Sequence, residues 1–78
     1  QADGSYLIDG GANLREINKE MDWTFSTEGP RTLNGLILEY LEDLPRVGQS
    51  LQIDGYQIAI HSVENNMVKQ ARITPPAL

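Results

Sequence analysis

The stretch Thr32–Gly48 carries the apolar pattern that most constrains the fold of this chain. Its apolar residues recur at helical spacing, as Leu33, Leu36, Ile37, Tyr40, Leu41 and Leu44. Residues three and four positions apart lie on one side of a helix, so they predict a buried face, with Leu38 outside it at the edge of the polar face. Pro45 is predicted to end this helix, because its ring clashes with the preceding turn and it cannot donate a hydrogen bond. We therefore expect a small domain built around one buried helix.

A strand and a shorter helix are predicted before this stretch. Ser5–Ile8 is a β-prone run between turn residues, which is typical of a strand. Asn13 and Glu16 have the spacing of a capping box. In that motif the Asn13 side chain accepts from the Glu16 amide, and the Glu16 carboxylate reaches back to the Asn13 amide. The helix that follows is expected to end near Asp22.

Two hairpins are predicted after it, at Asp54-Gly55 and Asn65-Asn66, because these residues tolerate the positive φ that two-residue turns need. The resulting register puts one apolar face toward the helices, made of Leu51, Ile53, Tyr56, Ile58, Ile60, Ala71 and Ile73. The same register places His61 opposite Gln70 on the other face, with Val63 and Val68 near the turn. The order β-α-α-β-β-β predicts an α+β fold, with two helices packed on a mainly antiparallel sheet, in a single domain over residues 1–78.

Composition excludes several functional classes. The net charge is −5, from 11 acidic and 6 scattered basic residues. We therefore expect neither nucleic-acid binding nor binding to a membrane surface through a cluster of basic residues. There is no cysteine for a disulfide, a thiolate nucleophile or a cysteine metal site. No apolar run reaches the roughly 20 residues of a membrane span, so no direct membrane insertion by this segment is expected. The start at Gln1 leads us to expect an excised piece of a longer membrane protein.

The sequence predicts no catalytic or metal-binding residue. His61 is the single histidine and is predicted to be a surface residue of a strand. Asp9-Gly10-Gly11 lacks the spacing of a phosphate loop, and glycine with positive φ is expected there. The acidic residues lack the spacing of a calcium-binding loop and are expected to be solvated: Asp22, Glu28, Glu39, Glu42 and Asp43. No serine has a nucleophile-elbow motif, whether Ser5, Ser26, Ser50 or Ser62. We expect no enzyme activity.

Contact surfaces are easier to predict than chemistry. Trp23, Phe25 and Leu38 are candidates for a surface that a partner covers, with core packing as the favoured role of Trp23. The polar segment Ser26–Arg31 is predicted to be a mobile loop beside Trp23.

Several segments, taken in order, resemble a known family. They are Asp3–Gly10, Asn13–Asn18, Thr32–Glu39 with Leu44–Gly48, Asp54–Tyr56 and Val68–Ile73. Together they resemble the transporter-associated domain at the C-terminus of CorC/HlyC-type proteins. The resemblance implies a fold similar to a subdomain of FAD-binding enzymes, although FAD binding itself does not follow from the fold.

The resemblance also implies a setting. In such proteins the domain follows a transmembrane region and a pair of CBS domains, on the cytoplasmic side of the inner membrane. The parents are associated with magnesium and cobalt efflux, and some carry the name hemolysin. We expect a non-catalytic regulatory domain of an ion transporter with no cofactor, whose partners are the CBS pair and transmembrane region of its parent. A sensor of a nucleotide or divalent cation is one alternative. The other is a homodimerisation module that pairs through Ala59, Val63 and Val68 or through Leu38.

Overall fold

Two helices lie on one face of a four-stranded antiparallel sheet in the computed structural model, which describes residues 4–76. The elements are β1 (Tyr6–Asp9), α1 (Leu14–Met21), α2 (Leu33–Leu41), β2 (Ser50–Ile53), β3 (Tyr56–Glu64) and β4 (Met67–Thr74). The strand order across the sheet is β1-β4-β3-β2, so β1 and β2 form its two edges. The predicted fold class and element order are confirmed. No helix within residues 4–76 is long and apolar enough to cross a membrane.

The first helix is capped differently from the prediction. The Asn13 side chain accepts a hydrogen bond of 2.8 Å from the amide of Arg15, two residues on, and not from Glu16. Asn13 therefore forms a shorter turn at the N-cap than a capping box would give. The predicted end near Asp22 is confirmed, since Asp22 is the C-cap and has a left-handed backbone with φ of 58°.

The second helix ends earlier than predicted. Thr32 is its N-cap, and the Thr32 hydroxyl accepts from the Gly35 amide at 3.1 Å. Its last helical residue is Leu41, because Glu42 adopts a left-handed backbone with φ of 54°. The prediction that Pro45 ends the helix is wrong. Leu44 therefore lies beyond the helix and is 58% exposed, and Tyr40, in the last turn of α2, is 51% exposed, so the predicted burial of both residues is wrong.

Both predicted hairpins are confirmed. Asp54 and Gly55 have φ of 53° and 88°, and Asn65 and Asn66 have φ of 54° and 62°. These are the left-handed values that a two-residue turn of this kind requires. The register places Ile53 opposite Tyr56, Leu51 opposite Ile58, Ile58 opposite Ile73 and Ile60 opposite Ala71, as predicted.

Between Ile60 and Val63 the β3–β4 register departs from the prediction. Val63 faces Val68, but Ser62 faces Gln70, so the prediction that His61 pairs with Gln70 is wrong. The irregularity leaves Lys69 and His61 without a partner in the ladder. It also changes the side on which Val68 lies. Val68 is 3% exposed and belongs to the core, and Val63 packs partly against that core.

The core fills the space between the helices and the inner face of the sheet. α1 supplies Leu14 and Ile17, and α2 supplies Leu33, Leu36 and Ile37. The sheet supplies Ile53, Tyr56, Ile58, Ile60, Val68, Ala71 and Ile73, while Leu51 is only half-buried. Trp23 and Phe25, between the helices, complete the cluster.

Candidate functional site

The residues considered for chemistry on sequence grounds lie in several separate parts of the fold. His61 is exposed at the irregular step of β3. Among residues 4–76 no group of three or more acidic or histidine side chains could hold a metal ion. The candidate serines are scattered, with Ser5 buried and Ser26 and Ser50 exposed. The buried Ser62 hydroxyl has no hydrogen-bond partner in the described part of the chain.

Gly10 lies at a junction between β1, α2 and β4. Its amide donates to the carbonyl of Lys69 at 2.8 Å, and its carbonyl accepts from the Asn34 amide at 2.7 Å. A Cβ at this position would overlap the carbonyl oxygen of Val68. The expectation of positive φ at Gly10 or Gly11 is wrong, because neither is among the residues with positive φ. Glycine is needed at position 10 for close approach of two backbones.

Asn34 completes this junction from the first turn of α2. Its side-chain oxygen accepts a hydrogen bond of 2.7 Å from the amide of Val68. That amide lies where the β3–β4 register shifts. Asn34 therefore satisfies a backbone donor at the irregular step and ties α2 to the sheet. The junction has a structural role, which sequence reasoning missed because its residues lie 34 positions apart.

Trp23 and Phe25 belong to an aromatic cluster at one end of the core. The ring centroid of Tyr56 lies 5.3 Å from that of Trp23 and 4.3 Å from that of Phe25. Asn18 fixes the segment, because its side chain donates to the Phe25 carbonyl at 2.8 Å and accepts from the Phe25 amide at 2.9 Å. The favoured core role of Trp23 is confirmed, with 9% of the residue exposed.

The surface of the described residues includes two hollows in which a small ligand could fit. The larger, about 460 Å³, is polar and lies between the start of α1 and the loop 27–31. Its charged lining residues are Arg15, Glu28 and Arg31. The smaller, about 330 Å³, lies beside the α2 N-terminus and is lined by Asp9, Gly11, Thr32, Asn34, Glu64, Met67, Val68 and Lys69.

The predicted loop Ser26–Arg31 is joined to the fold at both ends. The Ser26 amide donates to the Asp54 carboxylate at 3.2 Å, and the Arg31 carbonyl accepts from the Leu14 amide at 2.7 Å. These bonds bring Arg31 to the side of Arg15 in the polar hollow. The mobility of the loop stays a prediction.

Exposed apolar side chains concentrate after the middle of α2. Tyr40, Leu44 and Val47 are 51%, 58% and 65% exposed. We call these three residues the 40–47 patch. Leu38, the contact candidate from the sequence, is half-buried in the same region of the chain. Large apolar side chains exposed within one short stretch are candidates for a surface that another protein covers.

Relatives of known name match this chain over most of its length. Inner membrane protein YfjD of Escherichia coli is 48% identical over 96% of this chain, which corresponds to 18% of that protein. Magnesium and cobalt efflux protein CorC of Buchnera aphidicola is 33% identical over 81% of this chain, which corresponds to 22% of that protein. The chain thus spans about a fifth of the length of the relatives it matches.

Solved structures share its fold. A functionally unknown protein from Haemophilus influenzae superposes with a TM-score of 0.91 at 52% identity, over 96% of this chain and 93% of that one. The transporter-associated domain of a CBS domain protein from Porphyromonas gingivalis superposes with a TM-score of 0.86 at 26% identity, over 99% and 94%. The sequence profile of the transporter-associated domain, CorC_HlyC, matches residues 1–77. This chain therefore belongs to the CorC_HlyC transporter-associated domain family.

Proposed function

We propose that this chain is a non-catalytic regulatory domain of a longer membrane protein that exports divalent cations such as magnesium and cobalt. It acts on the cytoplasmic side of the inner membrane by contacting the CBS pair or the transmembrane region of the same protein. The observation that carries the proposal is the family match over residues 1–77 in a chain that spans about a fifth of its relatives. CorC of Buchnera aphidicola, one such relative, is named as an efflux protein for these two metals.

The described surface supports a role through contacts. His61 is exposed on a strand, and residues 4–76 hold no acidic or histidine cluster suited to a metal ion. Catalysis of a group transfer needs a base held beside a nucleophile. Ser62 follows His61 on β3, but its hydroxyl has no hydrogen-bond partner in the described part of the chain, and Ser5, Ser26 and Ser50 lie on other segments. The 40–47 patch supplies exposed apolar side chains, which a domain that acts through protein contacts needs.

Cation flux through the parent protein tests this proposal. The intact parent and a form that lacks these 78 residues are reconstituted in liposomes at equal protein density, and cobalt and magnesium transport are measured. We expect the truncated form to transport at a clearly different rate, because a regulatory domain changes the balance of transporter states. Equal rates for both forms and both ions would contradict the proposal.

A ligand sensor is the second candidate, and the polar hollow of about 460 Å³ favours it. Arg15 and Arg31 line this hollow and could pair with phosphate groups, while Glu28 could bind a cation. Thermal unfolding followed by Trp23 fluorescence, with magnesium, cobalt, ATP or FAD against an EDTA baseline, tests it. A ligand at a hundredfold its dissociation constant would stabilise the domain by about 2.7 kcal/mol. No shift with any of the four would remove this candidate.

A further inference from the structure

The 40–47 patch spans the end of α2, with Tyr40 in the last turn of the helix and Leu44 and Val47 beyond it. The apolar spacing of the sequence continues past Leu41, but the left-handed Glu42 turns the chain away after that residue. Leu44 therefore does not reach the core, and neither does Val47. Three of the six exposed large apolar side chains described for this protein fall in this short stretch. They are concentrated on one part of the chain, which distinguishes them from the scattered apolar residues of an ordinary surface.

The turn that carries Leu44 and Val47 is fixed in place by the rest of the fold. Pro45, between them, is buried. The Gln49 side chain accepts from the Arg46 amide at 2.8 Å, and the Gln49 amide donates to the Arg46 carbonyl at 3.1 Å. The Gly48 amide donates to the Ile60 carbonyl of β3 at 3.0 Å. A surface held in this way loses little conformational entropy when a partner covers it.

We propose that the 40–47 patch is the surface through which this domain docks onto the remainder of the longer protein that contains it. This inference rests on the proposed function. The occupant is argued from length, because about four-fifths of each matched relative lies outside the region that this chain spans. It is argued also from charge. Three exposed acidic residues, Glu39, Glu42 and Asp43, lie beside or within the stretch, against one exposed basic residue, Arg46, so the partner surface on the remainder of the protein is expected to present apolar groups with mainly basic side chains around them.

Thiol labelling of the parent protein tests the docking surface. The chain has no cysteine, so Val47→Cys introduces a single labelling site into this region. Met67→Cys is the matched control, because Met67 is 52% exposed and lies on the β3–β4 hairpin, outside the patch. Each variant is prepared in the parent and in the isolated domain, and maleimide modification is followed by mass spectrometry of the labelled peptide. The isolated domain is a sound reference, because a 52% identical chain of nearly the same extent crystallised as a folded unit.

We expect modification at position 47 to be slower by about tenfold or more in the parent than in the isolated domain, and modification at position 67 to be unchanged. Equal rates at position 47 in both proteins would overturn the docking surface, yet a difference in cation flux would still support the regulatory role. Equal slowing at both positions would overturn it as well, since that indicates general shielding. Protection at position 47 that grows with concentration of the isolated domain would assign the patch to a second copy instead.

Discussion

Gly10 and Asn34 show how single residues join elements that are far apart in the sequence. The backbone of Gly10 touches that of β4 closely enough to exclude a Cβ, and the Asn34 side chain binds the Val68 amide. Both contacts lie beside the shifted register of β3 and β4. Together they determine that Val68 lies in the core and that α2 begins over the end of β1.

Replacing Gly10 with alanine is expected to destabilise the domain by about 1–3 kcal/mol, because the added Cβ forces β1 and β4 apart. Urea unfolding measures the change. Gly11→Ala is the matched control, since its Cβ would meet only the Asp9 carboxylate at 3.3 Å. We expect that control to change stability by at most about 0.5 kcal/mol. Equal effects of the two substitutions would show that the close approach at position 10 is unimportant.

Asn34→Ala is expected to cost about 1–3 kcal/mol, because it leaves the Val68 amide without its acceptor. Asn34→Asp keeps an acceptor oxygen near a helix N-terminus and should lose less. Hydrogen exchange at the Val68 amide gives a local readout, with faster exchange in the alanine variant than in the aspartate variant. Unchanged exchange at Val68 in Asn34→Ala would refute the role of this hydrogen bond.

At the scale of elements, local patterns predicted the order of helices and strands and both hairpin turns. Asp54-Gly55 and Asn65-Asn66 each form a two-residue turn, which requires positive φ at both residues. This requirement is local, so the sequence alone predicts where each hairpin turns and how its strands begin to pair. The errors arise where distant contacts decide. Val68 was predicted on the outer face but lies in the core. It is therefore not available to the homodimer surface of Ala59, Val63 and Val68 that was considered as an alternative. The early end of α2 at Glu42 was missed because glutamate is not a typical left-handed residue.

The helix end at Glu42 can be tested with glycine substitutions, which are expected to have opposite effects on stability at positions 42 and 39. Glu42→Gly should stabilise the domain by about 0.5–1 kcal/mol, because glycine adopts φ of 54° without steric cost. Glu39 is an exposed residue inside α2, so Glu39→Gly should destabilise the domain by about 1 kcal/mol. Thermal unfolding of both variants measures the signs. Destabilisation by both would indicate that the helix continues through position 42.

At the scale of the whole molecule, the chain is a two-layer domain with one core and an exposed apolar patch. The family and the fold could be predicted from the sequence because they depend on segments spread over the whole chain. The exposure of the 40–47 patch could not, because two of its residues, Tyr40 and Leu44, satisfy a helical spacing that predicts burial. The exposure of Leu44 follows from the backbone at Glu42, whereas Tyr40 is exposed within the last turn of α2 itself.

Hydrogen exchange of the core amides tests most directly whether this domain works through contacts within its parent. Ile58 and Ile73 are fully buried, so their amides are expected to exchange mainly through global unfolding of the domain. A partner surface present at about a hundredfold the dissociation constant stabilises the folded domain by about 2.7 kcal/mol. We therefore predict exchange at both amides roughly a hundredfold slower in the parent than in the isolated domain. Equal exchange rates in the two proteins would contradict a role through protein contacts.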